Sequence, residues 1–354
     1  MGASVPCRWR GSLSGLDDTW RRKGRMATQI EDLLKRRILM VSGKGGVGKT
    51  TLTALIAREA ADAGKRVLAL DIDKELDAPS ALLEMLCGKR QFTSDEPYEI
   101  SSHLHCARLS PRVGQHDFLR DHIPVGMLAS AATRSTQLNR FLMAAPGFQE
   151  TGIIYRLLKF LRREIAKGKP SYEFILVDLP ATGHALALTS LPQPLLTVFP
   201  SGPIERTIRE SQGYFNDPEQ TGCLIVTLPE PLPVNETFEL AAGLRRDKVP
   251  IAGILVNRLP EEHLSRGEIS ELSQFFKEHP GEVIGEWSLS RLSRAGQAME
   301  LLVEKLAQQP EDVPVYRVPA LLERMEVKES VDALMGQVEH LSASALAEWT
   351  GGEA

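Results

Sequence analysis

Residues 38 to 51 read Ile38-Leu-Met-Val-Ser-Gly43-Lys44-Gly45-Gly46-Val47-Gly48-Lys49-Thr50-Thr51: an apolar run, a glycine-rich turn and the opening of a helical pattern. The turn satisfies the spacing G-x-x-x-x-G-K-[ST], and a strand before it with a helix after it is the context in which that spacing cradles phosphate. Glycines let main-chain N–H groups turn inward around phosphate oxygens at the positive end of the following helix. On that chemistry Gly43 to Thr51 bind a nucleotide and Lys49 neutralises the β/γ charge. Thr50 offers its hydroxyl to Mg²⁺, and Thr51 is set to reach the α-phosphate. ATP and Mg²⁺ are the cofactors this reading requires. The bland alternative, a glycine turn with no ligand, does not account for the full motif and its flanks.

Working outward, short apolar runs alternate with helical patterns from Arg37 onward, a βαβ rhythm. After Ile38–Val41 the strand candidates are 67–71, 104–109, 174–178, 223–228 and 251–256, several of them apolar without interruption, as in a parallel sheet buried on both faces. The expected fold is α/β, a P-loop NTPase with a mostly parallel central sheet flanked by helices and a small helical subdomain. A single ATPase domain is expected over 37–345, with the subdomain elements around 112–167 and 192–221. In the first of these stretches Ile154, Leu157, Leu158, Leu161 and Ile165 form one apolar stripe opposite Arg156, Lys159, Arg162 and Arg163. The tail from Leu321 repeats Leu322, Met325, Val331, Leu334, Met335, Val338 and Leu341 at helical spacing.

Composition excludes several classes. With 42% hydrophobic and 25% charged residues and a formal net charge of -4, the chain is an ordinary globular protein with no basic surplus for nucleic acid. No run of about 18 uncharged apolar residues offers an integral membrane segment, and the N-terminus lacks a secretory apolar core, so the expected compartment is the cytoplasm. Residues 1–25, rich in arginine and without apolar periodicity, are expected to be disordered. An Arg-rich targeting peptide would look similar, but Asp17 and Asp18 disfavour it, and Met26-Ala27-Thr28 reads like a second start. The four cysteines, Cys7, Cys87, Cys106 and Cys223, form no Cys-x-x-Cys pair and are expected as reduced thiols. His103, His105 and Cys106 lie close together, but two histidines one residue apart on a strand simply share a face.

Lys44 gives the loop the form K-G-G-V-G-K-T, which resembles the signature-lysine loop of the MinD/ParA, nitrogenase iron-protein and ArsA group. That resemblance implies a homodimer in which Lys44 crosses to the partner's nucleotide and assists hydrolysis; the alternative is a solvated lysine. Asp178 ends the run Phe174-Ile-Leu-Val177, as a Walker B carboxylate behind Mg²⁺ would, or as a plain turn residue would. Asp178-Leu-Pro-Ala-Thr-Gly-His-Ala-Leu resembles the D-T-A-P-T-G-H-T-L switch II of ArsA and the eukaryotic tail-anchored-protein targeting ATPase. There Gly183 would bring its N–H near the γ-phosphate and His184 would relay the change. Asp71-Ile-Asp73 stands at the family's S-T-D-P-A-H-N, so Asp73 is implied to position the attacking water, although the match breaks from Lys74 onward. By the same resemblance Asn257 would read the adenine, unless it is a capping or turn residue. Val315-Tyr-Arg-Val-Pro319 would be the loop covering the ring, with Pro319 against it.

The likeness also takes in Pro146-Gly-Phe-Gln-Glu150 and Leu228-Pro-Glu-Pro-Leu-Pro-Val-Asn-Glu236. No Cys-x-x-Cys follows Asn257, and 192–221 is short for a client-binding helical insertion. Neither a second P-loop nor a cysteine triad for arsenite is encoded. The function implied is a homodimeric ATP-hydrolysing ATPase of the ArsA type that binds and releases a protein partner through nucleotide-driven switching. The alternatives are a MinD/ParA-like regulatory or positioning ATPase, disfavoured by the acidic Glu323, Glu326, Glu329, Asp332 and Glu339, and a nucleotide-gated scaffold with little turnover.

Overall fold

Ile38–Gly43 (β1) lies in the middle of the molecule, because its residues alternate between two separate cores. Ile38 and Met40 face one and Leu39 and Val41 the other, all at 4% exposure or less. The structure, a computed structural model, describes residues 30–73, 75, 77–122, 148–180, 196, 201–261, 264, 266–279, 285–321 and 325–349. The sequence-predicted switch II residues Thr182, Gly183 and His184, the 1–25 segment, Cys7, Lys74, Pro146, Leu322 and Glu323 lie outside them.

The remaining strands are β2 (Val67–Ile72), β3 (Tyr98–Ser101), β4 (Leu104–Leu109), the small pair β5 (Glu164–Ala166) and β6 (Lys169–Pro170), β7 (Phe174–Asp178), β8 (Thr221–Thr227), β9 (Ile251–Leu259), β10 (Val315–Pro319) and β11 (Glu339–Leu341). Eight of them join β1 in one nine-stranded sheet of order β11-β10-β9-β8-β1-β7-β2-β4-β3, antiparallel only where β3 and β11 close its edges. Parallel strands need crossovers, and helices supply them on both faces, which explains the uninterrupted apolar runs. Helices α1 (Glu31–Leu34), α2 (Lys49–Asp62), α3 (Ala81–Cys87) and α10 (Val327–Leu334) cover one face. The opposite face is covered by α5 (Phe148–Leu161), α7 (Pro231–Arg246) and α9 (Glu286–Ala307).

α4 (Pro111–His122) crosses α5 where two glycines meet. A Cβ on Gly114 would lie 1.8 Å from the Gly152 carbonyl oxygen, and one on Gly152 would lie 2.4 Å from that of Pro111. Beyond the crossing the helices are tied by charge. Arg156 Nη1 donates to Asp117 at 2.9 Å, Lys159 Nζ to the same carboxylate at 2.8 Å, and Tyr155 Oη to Asp121 at 2.8 Å.

The expected polar stripe of α5 therefore needs correction, because Arg156 is 3% exposed and faces Asp117 instead of solvent. Ile165 does not continue the apolar stripe either. The helix stops at Leu161, and Ile165 stands 57% exposed in the β5–β6 hairpin, so the subdomain stretch around 112–167 is not purely helical. The C-terminal tail is not one helical repeat: α10 ends at Leu334, and Leu341 belongs to edge strand β11. Hydrogen bonding to β10 overrode the helical spacing of the apolar residues there.

Candidate nucleotide site

Parallel register brings the site's pieces to the carboxyl edge of the sheet. Asp178 at the end of β7 lies beside Val41 of β1 and Asp71 of β2, and Gly43 lies beside Val226 of β8. Open α/β sheets bind ligands at this edge, where loops leave the strands and helices begin. Gly43 approaches β8 so closely, at φ +147°, that a Cβ would sit 2.3 Å from the Val226 carbonyl oxygen. At the other end of the loop Gly48 has φ +94°, and a Cβ there would meet Asn257 Nδ2 at 2.3 Å. Both positions exclude side chains by space as well as by backbone conformation. Between them a Cβ on Gly45 or Gly46 would touch nothing within 4 Å, while Val47 pins the loop to the core at 1% exposure.

α2 begins without a capping side chain and with no acidic residue in its first turn. Its leading N–H groups, those of Lys49, Thr50 and Thr51, thus keep the free donor character and positive dipole end that an anion would use. Lys49 Nζ donates to the Lys44 carbonyl oxygen at 3.0 Å. Burial holds its pKa below the ordinary lysine range, and the Asp178 carboxylate only partly offsets this. Thr50 Oγ1 donates to Asp178 Oδ2 at 2.6 Å, and Thr53 Oγ1 lies 3.4 Å from Oδ1. Burial pushes Asp178 up to about 6, Asp71 adds to the rise, and Thr50 and Lys49 oppose it. An uncapped helix start, a buried lysine and a hydroxyl hydrogen-bonded to a buried carboxylate together fit a phosphate with a hard, oxygen-ligated cation.

Asn257 is neither a cap nor a turn residue. It sits within β9, 5% exposed, and its Nδ2 donates to the Val47 carbonyl oxygen at 2.8 Å, so the side chain braces the phosphate loop from two strands away. A bulge aims it there: the β9–β10 register slips between Arg317 and Pro319, and Arg258 takes up φ +58°. That left-handed conformation costs a non-glycine residue about 1–2 kcal/mol.

Val315–Pro319, expected as a loop over the base, is instead strand β10, with Tyr316 1% exposed and Val318 fully buried. Apolar alternation between β9 and β11 accounts for the difference, and leaves Pro319 at the strand's carboxyl end. From there the chain reaches α10, which is fastened to the phosphate-loop helix by Arg58 Nη1 to Asp332 at 2.5 Å and by the Gly336 N–H to Glu59 at 2.7 Å.

Lys44 points away from the loop, its side chain 41% exposed, and its Nζ pairs with Glu236 Oε1 of α7 at 2.5 Å. Nothing in the sequence marked Glu236 as its partner. Asp73 follows β2, and its Oδ1 accepts the Glu75 N–H at 3.1 Å. Sequence reasoning also missed Arg108, buried in β4 and paired with Asp71 at 2.6 Å. An arginine inside a run buried on both faces, with an aspartate at the end of the neighbouring strand, was the available clue. His105 makes an edge contact with Tyr172 at 5.6 Å, and burial lowers its pKa.

The family model described as "Anion-transporting ATPase" matches residues 36–200. ATPase BagA of Mycobacterium tuberculosis is 24% identical over 240 residues, 67% of this chain and 69% of that protein. ATPase GET3B of Arabidopsis thaliana is 25% identical over 275 residues, 64% of each chain. The arsenical pump-driving ATPase of Escherichia coli is 26% identical over 244 residues, 66% of this chain but 36% of that longer protein. No helix among the described residues is long and apolar enough to cross a membrane.

Proposed function

Because the chain belongs to the ArsA-like ATPase family, we propose that it works as a homodimer, coupling ATP binding and hydrolysis to the capture and release of a protein partner. The observation that carries the reading is the phosphate loop with Thr50 on Asp178 at 2.6 Å and a partly exposed Lys44 on the same loop. Inside the loop, the N–H groups from Gly45 to Thr51 and the Lys49 ammonium would bind the triphosphate; Thr50 would ligate Mg²⁺, oriented by Asp178. When bound, that cation supplies charge neutralisation between the β- and γ-phosphates. Asp73 would hold the attacking water, and Gly183 and His184 would report the state of the γ-phosphate. Asn257 and Pro319 would lie toward the base, Asn257 acting through the loop it braces.

Lys44 would act on the partner's nucleotide. For this it must exchange Glu236 for a phosphate oxygen, a trade of one anionic partner for another across the two-fold. The exchange ties turnover to closure of the dimer, and closure is the movement a protein partner could sense. No arsenite-binding cysteine triad is encoded, which favours a protein client over an exported anion.

The test mixes a Lys44→Ala subunit, whose own phosphate loop is otherwise intact, with a Lys49→Ala subunit that still carries Lys44. Recovered ATP hydrolysis in demonstrated mixed dimers is the expected result. Failure of mixed dimers to recover activity would remove the trans role of Lys44.

A further inference from the structure

The segment leaving β2 carries Asp73 out from the carboxyl edge of the sheet, where Asp71 lies beside Asp178, and from Lys74 onward its sequence departs from the family's S-T-D-P-A-H-N. Its described residues are not held by their own side chains alone. Arg108, whose side chain is fully buried on the adjacent strand β4, reaches under the segment. Its Nη1 donates to the carbonyl oxygens of Glu75 at 2.9 Å and Ala78 at 2.6 Å, and its Nη2 to Pro79 O at 3.3 Å and Asp71 Oδ2 at 2.6 Å. The Phe92 ring packs 5.2 Å from the guanidinium carbon.

We propose that Arg108 is a positioning residue for ATP hydrolysis: it clamps the main chain at Glu75, Ala78 and Pro79, so that the Asp73 carboxylate is preset at the carboxyl edge of the sheet whichever nucleotide is bound. Three features carry the inference. A buried cation is costly unless its donors find acceptors, and three of the four acceptors described for this one are carbonyl groups of one surface segment, an arrangement that core packing alone would not need. The planar fork of arginine serves several acceptors at fixed angles, so it sets the shape of the segment as well as neutralising Asp71. Finally, the first turn of the clamped segment is closed by Asp73 itself, whose Oδ1 accepts the Glu75 N–H at 3.1 Å while the Glu75 carbonyl accepts from Arg108. The direction of the Asp73 carboxylate and the grip of Arg108 are thus consecutive links of one chain.

Asp71 lies beside Asp178 in the strand register, so the clamp is anchored one strand away from the carboxylate that orients Thr50. A clamp of main-chain carbonyls does not depend on a γ-phosphate. The inference rests on the reading of Asp73 given above.

The experiment compares Arg108→Met, Arg108→Lys, Asp73→Asn and the double variants Arg108→Met/Asp73→Asn and Arg108→Lys/Asp73→Asn by steady-state ATPase kinetics in the full chain, with thermal unfolding as the check on folding. Arg108→Met should lower kcat about tenfold with KM for ATP changed less than about twofold. Arg108→Lys, which keeps the charge on Asp71 but loses the fork, should fall between it and the wild type. In the Asp73→Asn background neither change should lower kcat further, because both act through the same group. Wild-type kcat in a folded Arg108→Met or Arg108→Lys protein, or a further loss in the Asp73→Asn background, overturns the proposal. If Arg108→Met does not fold, the lysine variant, alone and with Asp73→Asn, carries the same comparison.

Hydrogen exchange of the 73–80 segment separates this proposal from the reading of Asp73. Protection should be equal with ADP and with a non-hydrolysable ATP analogue in the wild type, and reduced in Arg108→Lys. Unaltered kcat in Asp73→Asn would sink the hydrolytic reading of Asp73, whereas unaltered protection in Arg108→Lys would sink the clamp.

Discussion

Lys49 spends its positive charge on a main-chain carbonyl, 3.0 Å away, in a half-buried position that already depresses its pKa. A phosphate is a far better partner, so Lys49→Ala should weaken ATP binding by about 3 kcal/mol, roughly a hundredfold, while leaving the melting temperature nearly unchanged. Calorimetric titration with ATP reads this directly, and an undiminished affinity removes Lys49 from the site. Glu59 offers a second residue-scale test. Burial, with Asp62 adding to it, pushes Glu59 up to about 7 from an ordinary 4.5, against the opposing Gly336 N–H. A carboxyl whose folded pKa is raised keeps its proton in the native state while the unfolded chain has lost it. Stability should therefore decline as pH climbs from about 4.5 to about 7 and level off above. Glu59→Gln keeps the acceptor for Gly336 and abolishes the titration. The variant should match the wild type near pH 5 and exceed it by about 2 kcal/mol at pH 8 in denaturant unfolding. Taking the difference between the two proteins cancels Asp178 and every other shared group, so parallel pH curves would show that Glu59 is not under that strain.

At the scale of elements, α4 and α5 meet because both lack a side chain at the crossing, and the ion pairs of Arg156 and Lys159 with Asp117 then fix one helix against the other. Gly114→Ala would put a methyl group 1.8 Å from the Gly152 carbonyl, a backbone group that cannot swing aside. The helices must separate, at a cost of about 3 kcal/mol, and the melting temperature should drop by several degrees. Gly45→Ala, where a Cβ meets nothing within 4 Å, is the matched control and should leave stability unchanged. Equal melting temperatures for the two variants would mean that the crossing is looser than its geometry.

In the whole molecule, the two cores sandwiching one sheet are completed at the start by α1, where Ile30 is 2% exposed, Leu33 fully buried and Leu34 5% exposed. Removing residues 1–25 should leave unfolding unchanged, since their sequence has no apolar periodicity that could join a core. Removing 1–34 takes Ile30, Leu33 and Leu34 out of the core on that face of the sheet, and should cost on the order of 5 kcal/mol. Unfolding curves of the two truncations, compared with the full chain, decide it; a large loss with the shorter truncation alone would place packing residues before Met26. The same core carries the link from α10 and the residues after it to α2 through Arg58–Asp332 and Glu59–Gly336.

By itself the sequence determined the phosphate loop and the buried parallel strands around it, because these depend on local needs: glycines where side chains cannot fit, and unbroken apolar runs where a strand is covered on both faces. Asp178 at a strand end and Thr50 at a helix start were legible for the same reason, as neighbours of those runs. Tertiary structure alone decided the partners. Val315–Pro319 became a strand because β9 and β11 offered it hydrogen bonds; Arg156 went inside because Asp117 was waiting on another helix. Asn257 reached the loop through a bulge that no spacing announces, Lys44 found Glu236 192 positions away, and Arg108 gathered the carbonyls of a segment some thirty residues earlier. Each of these pairings joins residues that are distant in the chain, and the energy that selects them exists only once the sheet has set their distance and direction.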